Sequence, residues 1–453
     1  GPGLVSPCHS LPKLGAMIGG AASSGDGDAA GPEYGMVFDA GSSHTSLFIY
    51  EWDSDKENNT GVVSQTLSCD VQGQGISSYA SDPPKAGESL RECLDKALKV
   101  IPPMKQREVS TYLGATAGMR LLRVADKPLY QVLAEIAKTM QEYPVDFHGA
   151  RIITGEEEGA YGWITINYLL DSFTKYSPKE HLWVRPEAAN ILGALDLGGA
   201  STQISFIPKG SVIKWNETSK FTLYGYNYNI YTHSYLCYGQ NEVLKRLAKE
   251  LIVESSSSTR VEHPCYPKNY NEIISLSSFG TSPCTSQNDL HLTLADRNVT
   301  LEGSGNASRC LAAIKKLFNF SACGQSQDCT FNGVYQPPVS GQFFVRQILS
   351  FHSPYKPERL RSYCANANYI LTLLLDAYKF NETSWNSIIF QMKAGSTDIG
   401  WTLGYMLNLT NMIPAEAPEH VKGHDPSLWA AAIAFIVLTL ALGLVALLMC
   451  LWL

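Results

Sequence analysis

The chain has 453 residues, 45% hydrophobic and 17% charged. That composition is globular, and the length predicts two or more domains. A net charge of −7 with no long basic run excludes nucleic acid as an expected partner.

Residues 1–33 are rich in Gly, Ala, Ser and Pro. They hold no apolar run long enough for a signal sequence, so no targeting segment is evident and disorder is expected. The first structured stretch is "MVFDAGSSHTSLFIY", Met36 to Tyr50. An apolar run enters, Asp39 and small residues follow, and an apolar run leaves, which reads as a β-hairpin with a tight tip. "STYLGATAGMR" reads as a strand ending in another small-residue turn that carries Thr116. "DKPLYQVLAEIAKTM" sets Leu129, Val132, Leu133, Ile136 and Met140 at helical spacing, with Asp126 as its N-cap. "ARIITGEEEGAYGWITINYLL" reads as strand, turn and helix. The alternation is an α/β pattern.

"GALDLGGASTQISFI", Gly193 to Ile207, repeats the first hairpin. Asp196 stands for Asp39 and Gly198 for Gly41. Gly199 and Ala200 stand for Ser42 and Ser43, and Ser201-Thr202 for His44-Thr45. The copies lie about one domain length apart. A duplicated lobe is therefore expected, each half presenting one hairpin to a shared cleft.

Small residues at a hairpin tip let backbone N–H groups approach an anion, and several such groups make a nest for phosphate oxygens. A carboxylate beside a phosphate repels it unless a divalent cation lies between them. Ca²⁺ or Mg²⁺ takes oxygen ligands and keeps waters that two carboxylates can orient. Taken singly, each tip also reads as a tight turn with Asp as a local cap. The turn at Thr116 fits either a third phosphate loop or close strand-to-helix packing. In "TGEEEGAYGW", Thr154 and Glu157 form a capping box, and acids in a first helical turn suit the helix dipole. Hydrolysis also needs a group that orients or deprotonates water. Among Glu156, Glu157 and Glu158 the spacing does not select one.

Seven N-x-S/T sequons begin at Asn58, Asn216, Asn298, Asn306, Asn319, Asn381 and Asn408. With eleven spaced cysteines and no zinc-type Cys/His cluster, they favour the secretory pathway. Residues 418–427 read as a polar linker. "LWAAAIAFIVLTLALGLVALLMCLWL", Leu428 to Leu453, has no charged residue. As a helix it would reach roughly 39 Å, enough to cross a ~30 Å hydrocarbon core, with Trp429 and Trp452 near the interfaces.

Five segments in order, "VFDAGSSHTS", "LGATAGMRLL", "ITGEEEGAYGWITINYLL", "ALDLGGASTQISF" and "DIGWTLGYMLNLTNMIP", resemble the conserved regions of the ectonucleoside triphosphate diphosphohydrolases, the cell-surface ecto-apyrases. The resemblance runs from about Tyr34 to Ala417. It implies a two-lobed, actin-like, ribonuclease-H-like α/β fold with a C-terminal transmembrane helix and an extracellular catalytic part at the cell membrane. Residues 34–160 and 392–417 would form the first lobe and 161–391 the second. The implied activity is hydrolysis of nucleoside tri- and diphosphates to monophosphates with Ca²⁺ or Mg²⁺. Asp39 and Asp196 would hold metal-bound waters. Gly41, Ser42, Ser43, His44, Gly199, Ala200 and Ser201 would contact phosphate, and Thr116 would lie at the terminal phosphate. The base would be Glu158, and Gln203 would help position the attacking water, with no covalent phosphoenzyme. Trp163 and Trp401 are expected to be packing residues. A homo-oligomer stays open.

The chain departs from that pattern in several places. Glu156 stands where the family has Gln, and a carboxylate pointing at the base would raise its pKa. Gln240 stands where Arg or Lys is common near the nucleotide. Near residues 344–346 the family carries a few dozen further residues, among them an aromatic that stacks on the base. Cys69–Cys93, Cys323–Cys329, Cys237–Cys284 and Cys265–Cys310 are the implied disulfides. Without Cys8 and Cys450, nine cysteines remain, so Cys364 is left over. A shortened second lobe is expected to bind nucleotide more weakly and to be less stable. Two alternatives stand beside hydrolysis: a catalytically impaired membrane glycoprotein of the same family, and another actin-like phosphotransferase such as a sugar kinase or exopolyphosphatase.

Overall fold

Two β-sheets with matching strand order carry the chain. The computed structural model describes residues 31–52, 63–124, 129–173, 175–177, 182–184, 191–210, 218–223, 226–255, 259–286, 297–326, 328–347, 360–409, 430 and 433–441.

The first sheet holds β1 (Glu33–Ala40), β2 (Thr45–Trp52), β3 (Val63–Asp70), β4 (Ser110–Ala115) and β5 (Asp146–Ile152), in the order β3-β2-β1-β4-β5. The pairs β3–β2 and β2–β1 are antiparallel, while β1–β4 and β4–β5 are parallel. Helices α1 (Pro83–Ser89) and α2 (Arg91–Val100) precede β4. Between β4 and β5 run α3 (Ala117–Val124) and α4 (Leu129–Gln141). Leu129, Val132, Ile136 and Met140 of α4 are buried, so the apolar spacing marks its core face. Asp126, its expected cap, lies outside the described residues.

Helix α5 (Gly155–Leu169) follows, then a short antiparallel pair, β6 (Lys175–Ser177) and β7 (Leu182–Val184). The second sheet begins with β8 (Gly193–Leu197), β9 (Ser201–Phe206), β10 (Thr218–Leu223) and β11 (Tyr226–Leu236), after which comes α6 (Gln240–Glu254). A small sheet of β12 (Arg260–His263), β13 (Asn271–Ser275) and β14 (Asn298–Gly303) stands apart. Strands β15 (Phe343–Gln347) and β16 (Ile388–Phe390) complete the second sheet, ordered β10-β11-β9-β8-β15-β16. Here β11–β9 and β9–β8 are antiparallel, and β8–β15 and β15–β16 parallel. Apart from the added edge strand β10, this repeats the first sheet. The duplication read from two matching hairpins extends to whole sheets.

Each sheet has its own core, and a third cluster joins them through α5 and the helix Trp401–Leu409. These helices approach closely because Gly404 faces α5: a Cβ there would lie 2.1 Å from the Tyr161 carbonyl oxygen. The Gly404 N–H donates to Thr165 Oγ1 at 2.8 Å, and Tyr50 Oη and Thr402 Oγ1 share a 2.8 Å hydrogen bond. Trp163 and Trp401 are buried in this cluster, as packing residues should be.

All four expected disulfides are present, and Cys364 is free and exposed. Residues 344–346 lie inside β15, all paired with β8 and the first two also with β16, so the second sheet runs through the expected deletion point. Asn298, Asn306, Asn319, Asn381 and Asn408 are exposed, while Asn58 and Asn216 lie outside the described residues. The expected transmembrane helix, 428–453, is described only in part. Ala430 and Ile433–Ala441 are helical, and among the described residues no helix is long and apolar enough to cross a membrane. The rest of 428–453 lies outside the described residues.

Candidate active site

Asp39 and Asp196 occupy equivalent places on the central strands. Asp39 on β1 is opposite Ser46 of β2 and beside Gly114 of β4. Asp196 on β8 is opposite Gln203 of β9 and beside Arg346 of β15. Past each Asp the strand ends and turns back, from Ala40 to Thr45 and from Leu197 to Thr202.

The two tips meet. A Cβ on Gly199 would lie 2.7 Å from Ser42 Oγ and 3.3 Å from Ser43 Oγ, so only glycine allows this approach without displacement. The first turn of α6 holds the second tip: Gln240 N–H donates to the Gly198 carbonyl and Asn241 N–H to the Gly199 carbonyl, each at 2.9 Å. Among the described residues the N–H groups of Gly199 and Ala200 have no backbone acceptor, nor do those of Ser42 and Ser43. Unspent donors facing one another from two turns form an anion nest. Thr116 adds a third wall. Its N–H donates to the Ala40 carbonyl at 3.1 Å, and it immediately precedes α3, whose N-terminus favours negative charge.

One cleft is lined by Asp39, Gly41, Ser42, Ser43, His44, Thr116, Glu158, Asp196, Gly199, Ala200 and Ser201. Gln203 stands behind this wall. Its Nε2 donates to Glu158 Oε2 at 3.0 Å and to Ser201 Oγ at 2.7 Å. Among the described residues its Oε1 is buried without a partner.

The three glutamates have separate places. Glu157 closes the capping box with Thr154 and pairs with Arg151 at 2.7 Å. Glu156 is exposed, and its charge is not among those that act on Glu158. Glu158 turns inward, is 7% exposed, and pairs with Arg120 Nη2 at 2.7 Å. Burial pushes its pKa up to about 7, against the opposing pull of Arg120 and with help from Asp196 and Asp39. Burial also raises Asp196, with Arg346 opposing.

Two arginines escaped the sequence reading. Arg120 lies one helical turn beyond Thr116, so the predicted turn and helix could have placed it on the cleft side. Arg346 carries no motif signal, since it falls where the resemblance breaks off. Gln240 is buried at the start of α6, where its backbone supports the second tip.

Among the described residues no group of three or more His, Cys, Asp or Glu side chains is placed to hold a metal. Asp39 and Asp196 nevertheless face the cleft, and among the described residues Asp196 Oδ1 is buried without a partner. That donor set fits a hard cation keeping waters and phosphate oxygens in its shell, rather than a site made wholly of protein ligands.

Residues 28–356 and 345–422 match a family model described as the GDA1/CD39 (nucleoside phosphatase) family. Ectonucleoside triphosphate diphosphohydrolase 8 of Gallus gallus is 51% identical over 457 residues, covering 93% of this chain and 92% of that protein. The Homo sapiens protein of that name is 45% identical, covering 90% and 88%. Ectonucleoside triphosphate diphosphohydrolase 2 of Gallus gallus is 44% identical, covering 92% and 91%. The solved nucleoside triphosphate hydrolase structure from Neospora caninum aligns with a TM-score of 0.55 at 14% identity, covering 84% of this chain and 93% of that one. At that identity it shows the two-sheet, actin-like α/β fold alone.

Proposed function

Because the chain belongs to the GDA1/CD39 (nucleoside phosphatase) family, we propose that it hydrolyses nucleoside tri- and diphosphates to monophosphates and phosphate. Glu158 is the observation that carries this reading. Among the described residues both its donors, Arg120 and Gln203, bond to Oε2, which leaves Oε1 for a water. A buried carboxylate poised near neutrality beside an anion nest suits a general base.

In this scheme the free N–H groups of the two tips and the hydroxyls of Ser42, Ser43 and Ser201 hold the phosphate chain. Thr116 and the α3 N-terminus face the terminal phosphate. Glu158 takes a proton from water as its oxygen bonds to the terminal phosphorus, and the bridging P–O bond breaks with its electrons passing to the leaving phosphate. Gln203 orients that water, and no covalent phosphoenzyme forms. Asp39 and Asp196 would hold Ca²⁺ or Mg²⁺ through waters. When bound, such an ion supplies charge neutralisation on the phosphate oxygens.

The same reading assigns residues 34–160 and 392–417 to one lobe and 161–391 to the other. It takes 428–453 as a membrane anchor, puts the catalytic part outside the cell, and makes the exposed sequons glycan acceptors. Phosphate release from ATP, ADP and AMP, in Ca²⁺ and then in EDTA, tests it. Release from ATP and ADP but not AMP, abolished by EDTA, is expected. Undiminished release in EDTA would remove the cation from the scheme, and no release from any nucleotide would favour an impaired member of the family.

A further inference from the structure

The duplicated sheets differ at one telling position. On the first sheet, the β4 residue beside Asp39 is Gly114, and the Trp401 ring covers it. On the second, the β15 residue beside Asp196 is Arg346. One lobe places a neutral residue against its cleft aspartate and the other places a cation.

The Arg346 side chain is 17% exposed and that of Asp196 13%, with Nη1 3.8 Å from Oδ2. The guanidinium lines the cleft with Asp39, Asp196 and Glu158. It is packed against Gly400, where a Cβ would lie 2.9 Å from Nη1. Among the described residues Asp39 has no ion-pair partner of its own, and the charge of Arg346 acts on both aspartates that would face a metal. At 3.8 Å the pair with Asp196 is longer than a hydrogen bond, which leaves the carboxylate open to exchange. A monovalent cation fixed there neutralises charge that a divalent ion would otherwise use, and repels that ion in a poorly solvated site.

We propose that Arg346 is a built-in counter-ion that competes with the divalent cation for Asp196 and weakens metal binding in the absence of nucleotide. The inference rests on the reading that Asp39 and Asp196 face a divalent cation. It also makes the site more dependent on incoming phosphate, whose charge engages Arg346 and frees Asp196.

The test is calorimetric titration of Ca²⁺ into the full chain without nucleotide, beside Arg346→Gln, Arg346→Met and Arg346→Lys, each checked by thermal melting. The neutral variants should bind Ca²⁺ about tenfold more tightly than the parent, and Arg346→Lys should stay close to it. Equal or weaker binding by the neutral variants overturns the inference while leaving the cation site standing. No Ca²⁺ binding by any form overturns both. The unsubstituted chain gives a reading that needs no variant: Ca²⁺ should increase phenylglyoxal labelling of Arg346, followed by mass spectrometry. Unchanged or reduced labelling contradicts displacement of the guanidinium.

Discussion

Three consecutive glutamates show how position within one helical turn decides chemistry. Glu157 reaches back to the helix start, Glu156 points to solvent and Glu158 enters the cleft. Sequence spacing revealed the capping box but not which neighbour turned inward, because that depends on where β9 and α3 lie around α5. The burial of Glu158 has two pH consequences. As the base it must be ionised, so kcat/KM should rise with pH through about 7 and then level. Its folded pKa is raised above the ordinary 4.5, so its stabilising contribution is complete below about 4.5 and is lost as pH rises through about 7. Thermal melts at pH 5 and pH 8 should show the parent losing stability relative to Glu158→Gln at the higher pH. A constant difference would contradict the raised pKa.

The hairpins and α5 carry the cleft at the level of elements. Both hairpins were legible because an Asp followed by small residues between two apolar runs leaves few other readings. The capping box was legible for a similar reason. Losing its hydroxyl in Thr154→Ala should cost about 1 kcal/mol in a denaturant melt. Activity should change little, since Glu158 is also held by Arg120 and Gln203. The contact of α5 with the helix Trp401–Leu409 was hidden, because no local pattern announces a long-range approach. Gly404→Ala should therefore destabilise by about 1–3 kcal/mol through overpacking against Tyr161, and a variant melting like the parent would show that the helices can part without loss.

At the scale of the molecule, repetition of the sheet order places two equivalent aspartates across one cleft. The sequence carried that symmetry in its two hairpins, but not the strand that breaks it. Arg346 lies in a stretch with no motif, and only the pairing of β15 with β8 brings it beside Asp196. The disulfides were legible through family resemblance and not through spacing, since spacing alone does not select a connectivity. Their distribution is uneven: Cys69–Cys93 serves the first sheet, and the other three lie beyond β11 or at its end. Replacing Cys265 and Cys310 by Ser should lower stability by about 2–4 kcal/mol through the freed loop, read by melting under non-reducing conditions. The most direct measurement is phosphate release from ATP by the parent chain and by Glu158→Gln at pH 8 with saturating Ca²⁺, with melts confirming that both are folded. A fall in kcat of about 10²–10⁴-fold in Glu158→Gln is the predicted result. Release unchanged by the substitution would contradict the assignment of Glu158 as the group that activates water.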